Sequence, residues 1–139
     1  MTRKLSSSWL IAGGLLVAVA GCGSSNVELA PVHGQVLFNG QPLAGALVEF
    51  QPVGKSPSVG TTDVDGQFQL QFSKDRWGAH VGEHVVKIDH DIDGRHRSKT
   101  IVPVPARYNS KSELKREVVA GSNSFDFDLK SDVRTASSR

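Results

Sequence analysis

The hexapeptide Gln67-Phe68-Gln69-Leu70-Gln71-Phe72 alternates polar and apolar residues without a break. A period of two sends successive side chains to opposite faces of a strand, so Phe68, Leu70 and Phe72 are expected inside and the three glutamines outside. The period recurs along the chain. Val32, Gly34, Val36 and Phe38 share one parity, as do Ala46, Val48 and Phe50 within 46–51. His84, Val86 and Ile88 alternate within 82–89, Leu114 and Val118 share parity, and Phe125, Phe127 and Leu129 alternate with Asp126, Asp128 and Lys130. No stretch beyond residue 31 repeats at the 3.6-residue period of a helix. Faces of this kind can be buried only against other sheets, so the expected fold class is all-β, a seven-stranded-type antiparallel β-sandwich.

The punctuation between these runs agrees. Asn39-Gly40 predicts a tight type I′ hairpin turn, whose two central residues both need positive φ. Pro42 lacks a backbone donor and Gly45 interrupts the next run. Val59-Gly60-Thr61-Thr62 leads as a short strand into Asp63-Val64-Asp65-Gly66, where aspartate side chains can bond nearby backbone amides in a hairpin turn. Gly121-Ser122-Asn123 turns the chain before its last run. The only large apolar residues available to the core are the six Phe, Trp77 and the aliphatics, enough for one small domain.

The first 21 residues have another character. Arg3 and Lys4 precede an apolar run from Trp9 to Ala20, and Val19-Ala20-Gly21-Cys22 closes it. The run is short for a hydrocarbon core roughly 30 Å thick and reads as a secretory signal. Its end resembles the lipobox of bacterial lipoproteins, with Val19 where Leu is commoner. That resemblance implies cleavage before Cys22 and lipidation of Cys22, the only cysteine in the chain. More than one acyl chain is needed for stable anchoring. The expected location is the cell envelope, and Gly23, which is not the Asp some bacteria read as an inner-membrane retention signal, favours the outer membrane or cell surface. The expected division is 1–21 signal peptide, 22–31 polar tether, 32–130 sandwich and 131–139 disordered tail.

Val32-x-Gly34-x-Val36, then Asn39-Gly40-x-Pro42-Leu43-Ala44-Gly45-Ala46-x-Val48-x-Phe50, then Thr62-Asp63-x-Asp65-Gly66-x-Phe68 together resemble the carboxypeptidase regulatory-like, prealbumin (transthyretin)-type sandwich. Pro105-Ala106-Arg107-Tyr108-Asn109 and the strand through Phe125-Asp126-Phe127 resemble the later part of small bacterial lipoproteins built on it. The resemblance implies an accessory envelope module with a structural, adhesion or ligand-binding role, an envelope protein or carbohydrate as partner, and no catalysis. His84 stands where the family more often has an aromatic residue.

Other classes find less support. The formal charge of +2 is supplied by Arg3 and Lys4; without them basic and acidic residues balance, and no basic stripe interleaves with aromatics, so no nucleic-acid partner is expected. The chain has no Gly-x-Ser-x-Gly elbow, no phosphate-binding glycine loop, and none of the Tyr-Arg-Gly-Ser type tail of related transthyretin-like hydrolases. No catalytic residue and no cofactor is expected. The alternative is a calcium-dependent binding protein using Asp89, Asp91 and Asp93, since Asp89-His90-Asp91-Ile92-Asp93-Gly94 opens like a calcium loop. Thr100 then stands where the bidentate Glu belongs, and Arg95, Arg97 and Lys99 crowd the loop. The histidines His33, His80, His84, His90 and His96 lack the spacing of a zinc helix, though His33 and His84 lie in different strands that a fold can bring together. The polar segments 91–99 and 55–58 are the expected recognition loops.

Overall fold

A computed structural model describes residues 26–90 and 103–132 of the 139-residue chain. The described residues form short strands: β1 (Leu29–Ala30), β2 (Val32–Phe38), β3 (Gln41–Pro42), β4 (Leu47–Pro52), β5 (Ser58–Thr61) and β6 (Gln67–Gln69). There follow β7 (Gln71–Ser73), β8 (Arg76–Trp77), β9 (Ala79–His80), β10 (Gly82–Asp89), β11 (Lys115–Val118) and β12 (Asn123–Leu129). The one helical element among them is a 3₁₀ turn at Ala106–Tyr108. The fold is all-β. A six-stranded sheet in the order β11-β10-β4-β5-β7-β8 faces a four-stranded one, in which β2 lies between β12 on one side and β3 and β6 on the other. A small ladder of β1 with β9 closes one end.

Alternation decides what lies between the sheets. Val48, Phe50, Val86, Ile88 and Val118 come from the larger sheet, and Val32, Val36, Phe127 and Leu129 from the smaller; none is more than 4% exposed. Phe50 is central, its ring centroid 5.6 Å from that of Phe125 and 6.3 Å from that of Phe127. His84 packs beside it. Its ring is tilted against Phe50 at 5.7 Å, and its Nε2 donates to the His80 carbonyl at 2.7 Å. The guanidinium of Arg116 covers the ring of Phe127 from 5.0 Å. The Asn39-Gly40 turn has φ of +50° and +80°, as a type I′ hairpin requires.

Several expectations are corrected. Among the described strands pairing is antiparallel except in one place: β12 runs parallel to β2, with Asn123 opposite Val32 and Leu129 opposite Phe38. The run 67–72 is not one strand of one sheet. Gln67–Gln69 pairs with β2 and Gln71–Ser73 with β5, so the chain changes sheets at Leu70. Phe72, beyond the switch, is only half-buried and packs edge-on against His80 at 5.0 Å. The tether ends earlier than expected, because Leu29–Ala30 already pairs with Ala79–His80 and Ala30 is buried. Residues 131 and 132, expected in the tail, are held to the domain. Ser131 exchanges hydrogen bonds with the Asn39 amide at 3.1 Å, and Asp132 pairs with Arg107, whose guanidinium also lies 4.8 Å over Tyr108. Residues 133–139 lie outside the described part, as does the signal segment with Cys22.

Asn123 fastens the start of β12 to the segment that leads into β2. Its Oδ1 accepts from the Val119 amide at 3.0 Å, and its Nδ2 faces the carbonyls of Pro31, Val119 and Gly121 at 3.2, 2.9 and 3.0 Å. Asn123→Asp exchanges that donor for an acceptor turned toward three carbonyls in a buried site. A loss of about 2–4 kcal/mol near neutral pH is expected. The native site favours the protonated acid, so the folded pKa of this Asp lies above its unfolded value near 3.9, and the loss grows as pH rises through that region. Urea midpoints at about pH 7 and about pH 4 check this; an equal deficit at both would contradict it.

Candidate functional site

The sheet switch at Leu70 creates an open concavity on the surface. The Leu70 amide donates to Val32 O in one sheet at 2.9 Å, and its carbonyl accepts from the Gly78 amide at 2.8 Å. Leu70 itself is fully buried. On either side of this pivot, β6 and β7 diverge toward different sheets, and the outward faces of the two sheets enclose an open groove of about 780 Å³. Gly60 makes the fold tight here. A Cβ on it would lie 2.4 Å from Gln69 O, so only glycine lets β5 approach the β6 backbone so closely.

Cross-strand register places the side chains. Gln71 lies opposite Val59 on one side and Trp77 on the other, so these three share one face of the larger sheet. Gln69 lies opposite His33 on the smaller sheet, and Gln67 opposite Gln35. The groove therefore has an aromatic wall at Trp77 and a polar wall of Gln67, Gln69 and His33. Trp77 is 55% exposed, which corrects its expected place in the core. The bulk of its ring suggested burial, but the two-residue strand that carries it is the outermost of its sheet.

The polar groups differ in how far they are engaged. Asp63 Oδ1 accepts from the amides of Asp65 and Gln67, both at 2.9 Å, so this carboxylate shapes the turn. Gln71 Nε2 donates to Lys74 O at 2.8 Å. The side-chain amides of Gln67 and Gln69 bond to no other described residue and face solvent. Among the described residues, no Lys or Arg lines the groove. Arg76, the nearest in sequence, turns away: its guanidinium lies over Phe72 at 5.3 Å and donates to Val27 O at 3.0 Å.

The residues singled out from sequence do not converge. His33 is exposed in the groove, whereas His84 is buried in the core of the other sheet. His80 is buried beside His84; desolvation holds its pKa below the ordinary value, with Lys55, His84 and Arg76 adding repulsion. Lys55 borders a separate hollow of about 430 Å³ together with His80 and Glu28, so part of the 55–58 break lies beside the amino-terminal segment. Asp89 Oδ1 accepts from the His90 amide at 2.7 Å. Asp91, Asp93, His96 and the rest of the 91–99 loop lie outside the described residues. Among the described residues, no three His, Cys, Asp or Glu side chains are grouped to hold a metal ion. No described helix is long and apolar enough to cross a membrane.

Sequence reasoning treated the three glutamines only as a solvated face and missed the groove. The signal was present in their combination with Trp77, which is followed by Gly78, a residue with no side chain to cover the indole. A scan against protein-family models and a search of curated proteins each return no match to the chain.

Proposed function

We propose that this protein is a lipid-anchored, non-catalytic module of the cell envelope that holds a partner by surface contact. Cys22 carries the lipid, the outer membrane or cell surface is the location, and the sandwich presents the contact surface. The groove at the sheet switch carries this reading. It is a preformed concavity whose walls offer an exposed indole and side-chain amides, groups that recognise by stacking and hydrogen bonding. The amino-terminal strand supports it too. β1 begins at Leu29, seven residues after Cys22, and an extended chain covers at most about 25 Å over that interval. The module would stand close to the membrane, with little freedom to wander.

Cys22→Ser tests the anchor. The variant is expected to lose incorporation of labelled palmitate and to accumulate with an unprocessed or mislocalised leader. Palmitate recovered on the Cys22→Ser protein at wild-type level would reject the anchored reading.

A further inference from the structure

We infer that the groove at the sheet switch is a binding site for a neutral oligosaccharide, with Trp77 as the stacking platform and Gln67 and Gln69 as the hydrogen-bonding wall. This deepens the reading of the chain as a binding module and rests on it. Trp77 offers a flat apolar face on the edge of a rigid sheet, 55% exposed although it is the largest side chain of the domain. A sugar ring presents such a face with its axial C–H groups and a rim of hydroxyls around it. Each hydroxyl both donates and accepts, and a glutamine amide supplies both partners from one side chain. Gln67 and Gln69 point the same way from β6 and have no protein partner among the described residues, so a ligand need not displace an existing bond.

The charge of the lining narrows the choice. Among the described residues no Lys or Arg borders the groove, and Asp63 already bonds two backbone amides, so a phosphate or carboxylate would meet no fixed positive charge from them. An apolar ligand would leave the amide wall unpaired. A proline-rich helix is the nearest rival, but its recognition uses grooves lined by several aromatic rings; Phe68, the other Phe, Tyr or Trp among the described lining residues, is 4% exposed. The volume, about 780 Å³, falls in the range of roughly 300–1,000 Å³ usual for small-molecule sites. The walls are also fixed in advance. Gly60 packs on the Gln69 backbone and Leu70 is bonded to both sides of the switch, so little ordering opposes binding.

The test uses the full-length protein purified from membranes in a zwitterionic detergent, free of sugar headgroups. Cello-, chito- and malto-oligosaccharides are titrated while tryptophan fluorescence and heat are followed, beside a polyproline peptide and inorganic phosphate. At least one neutral series is expected to bind saturably with a change in tryptophan emission. Trp77→Ala should weaken it at least about tenfold, as for a central aromatic anchor, Trp77→Phe should retain part of it, and Gln69→Ala should weaken it several-fold. Unchanged melting temperatures would show that the variants fold. Four results would overturn the inference: no binding by any neutral sugar, undiminished binding by Trp77→Ala, binding of polyproline or phosphate alone, or self-association abolished by Trp77→Ala without sugar binding. None of them bears on the lipid anchor, which palmitate labelling of Cys22→Ser decides separately.

Discussion

Gly34→Ala is expected to cost about 4 kcal/mol or more, at the upper end of what single substitutions do. Gly34 lies inside β2, opposite Phe125 in β12 and Phe68 in β6. A methyl group there would sit 1.8 Å from the Phe125 carbonyl oxygen, 2.7 Å from its carbon and 3.0 Å from the ring of Phe68. The first two atoms belong to backbone, so no change of rotamer relieves the overlap. Relief requires β2 and β12 to part by more than an ångström along the ladder that joins the two ends of the fold. For a domain near 100 residues the corresponding fall in melting temperature is roughly 15–30 °C. Calorimetry or denaturant melts of the purified variant check it. A wild-type midpoint would mean that the parallel β2–β12 pairing is misplaced.

Phe50→Ala should cost about 3–5 kcal/mol, the range for truncating a fully buried Phe. Phe50 has no exposed surface and meets rings from both sheets, with Phe125 and Phe127 across the interface and His84 beside it. Its removal opens a cavity where the sheets touch, and β-strand backbones cannot collapse into it without breaking register. Gln69→Ala, on an outward face, should stay within about ±0.5 kcal/mol. Urea melts of the two variants under one set of conditions make the comparison. Similar losses would mean that the inward and outward faces have been exchanged.

Local chemistry was legible in the sequence. The inward sets Ala46, Val48, Phe50 and His84, Val86, Ile88 are all buried, because alternation is a property of the strand itself. The Asn39-Gly40 hairpin forms as its residues dictate, whereas the Asp63 turn forms but is not the expected hairpin, since it leads from β5 in the larger sheet to β6 in the smaller. What escaped was non-local. Periodicity states which residues are hidden but not which sheet hides them, and 67–72 keeps one rhythm while passing from one sheet to the other. Leu29 and Ala30 sit in a polar stretch, so composition alone gave no warning that they pair with 79–80. Trp77 failed for another reason. Its size suggested the core, but register with Gln71 and Val59 puts it on the outward face of the outermost strand, and register with a distant strand cannot be read from one run of residues.

The parallel partnership of β2 and β12 also sets a clock. A ribosome releases Val32 long before Asn123, with 91 positions between them. At synthesis rates of about 5–20 residues per second, β2 waits roughly 5–20 s for the strand that completes its edge. Pairings between strands so distant along the chain also form slowly. Nearer neighbours such as β4 and β10 can meet earlier, but the ladder that joins the two ends of the domain cannot. The nascent chain therefore stays open until its last strand is made. If the chain is exported as proposed, it must stay unfolded while it is threaded through a membrane pore, and the order of the strands would supply that delay.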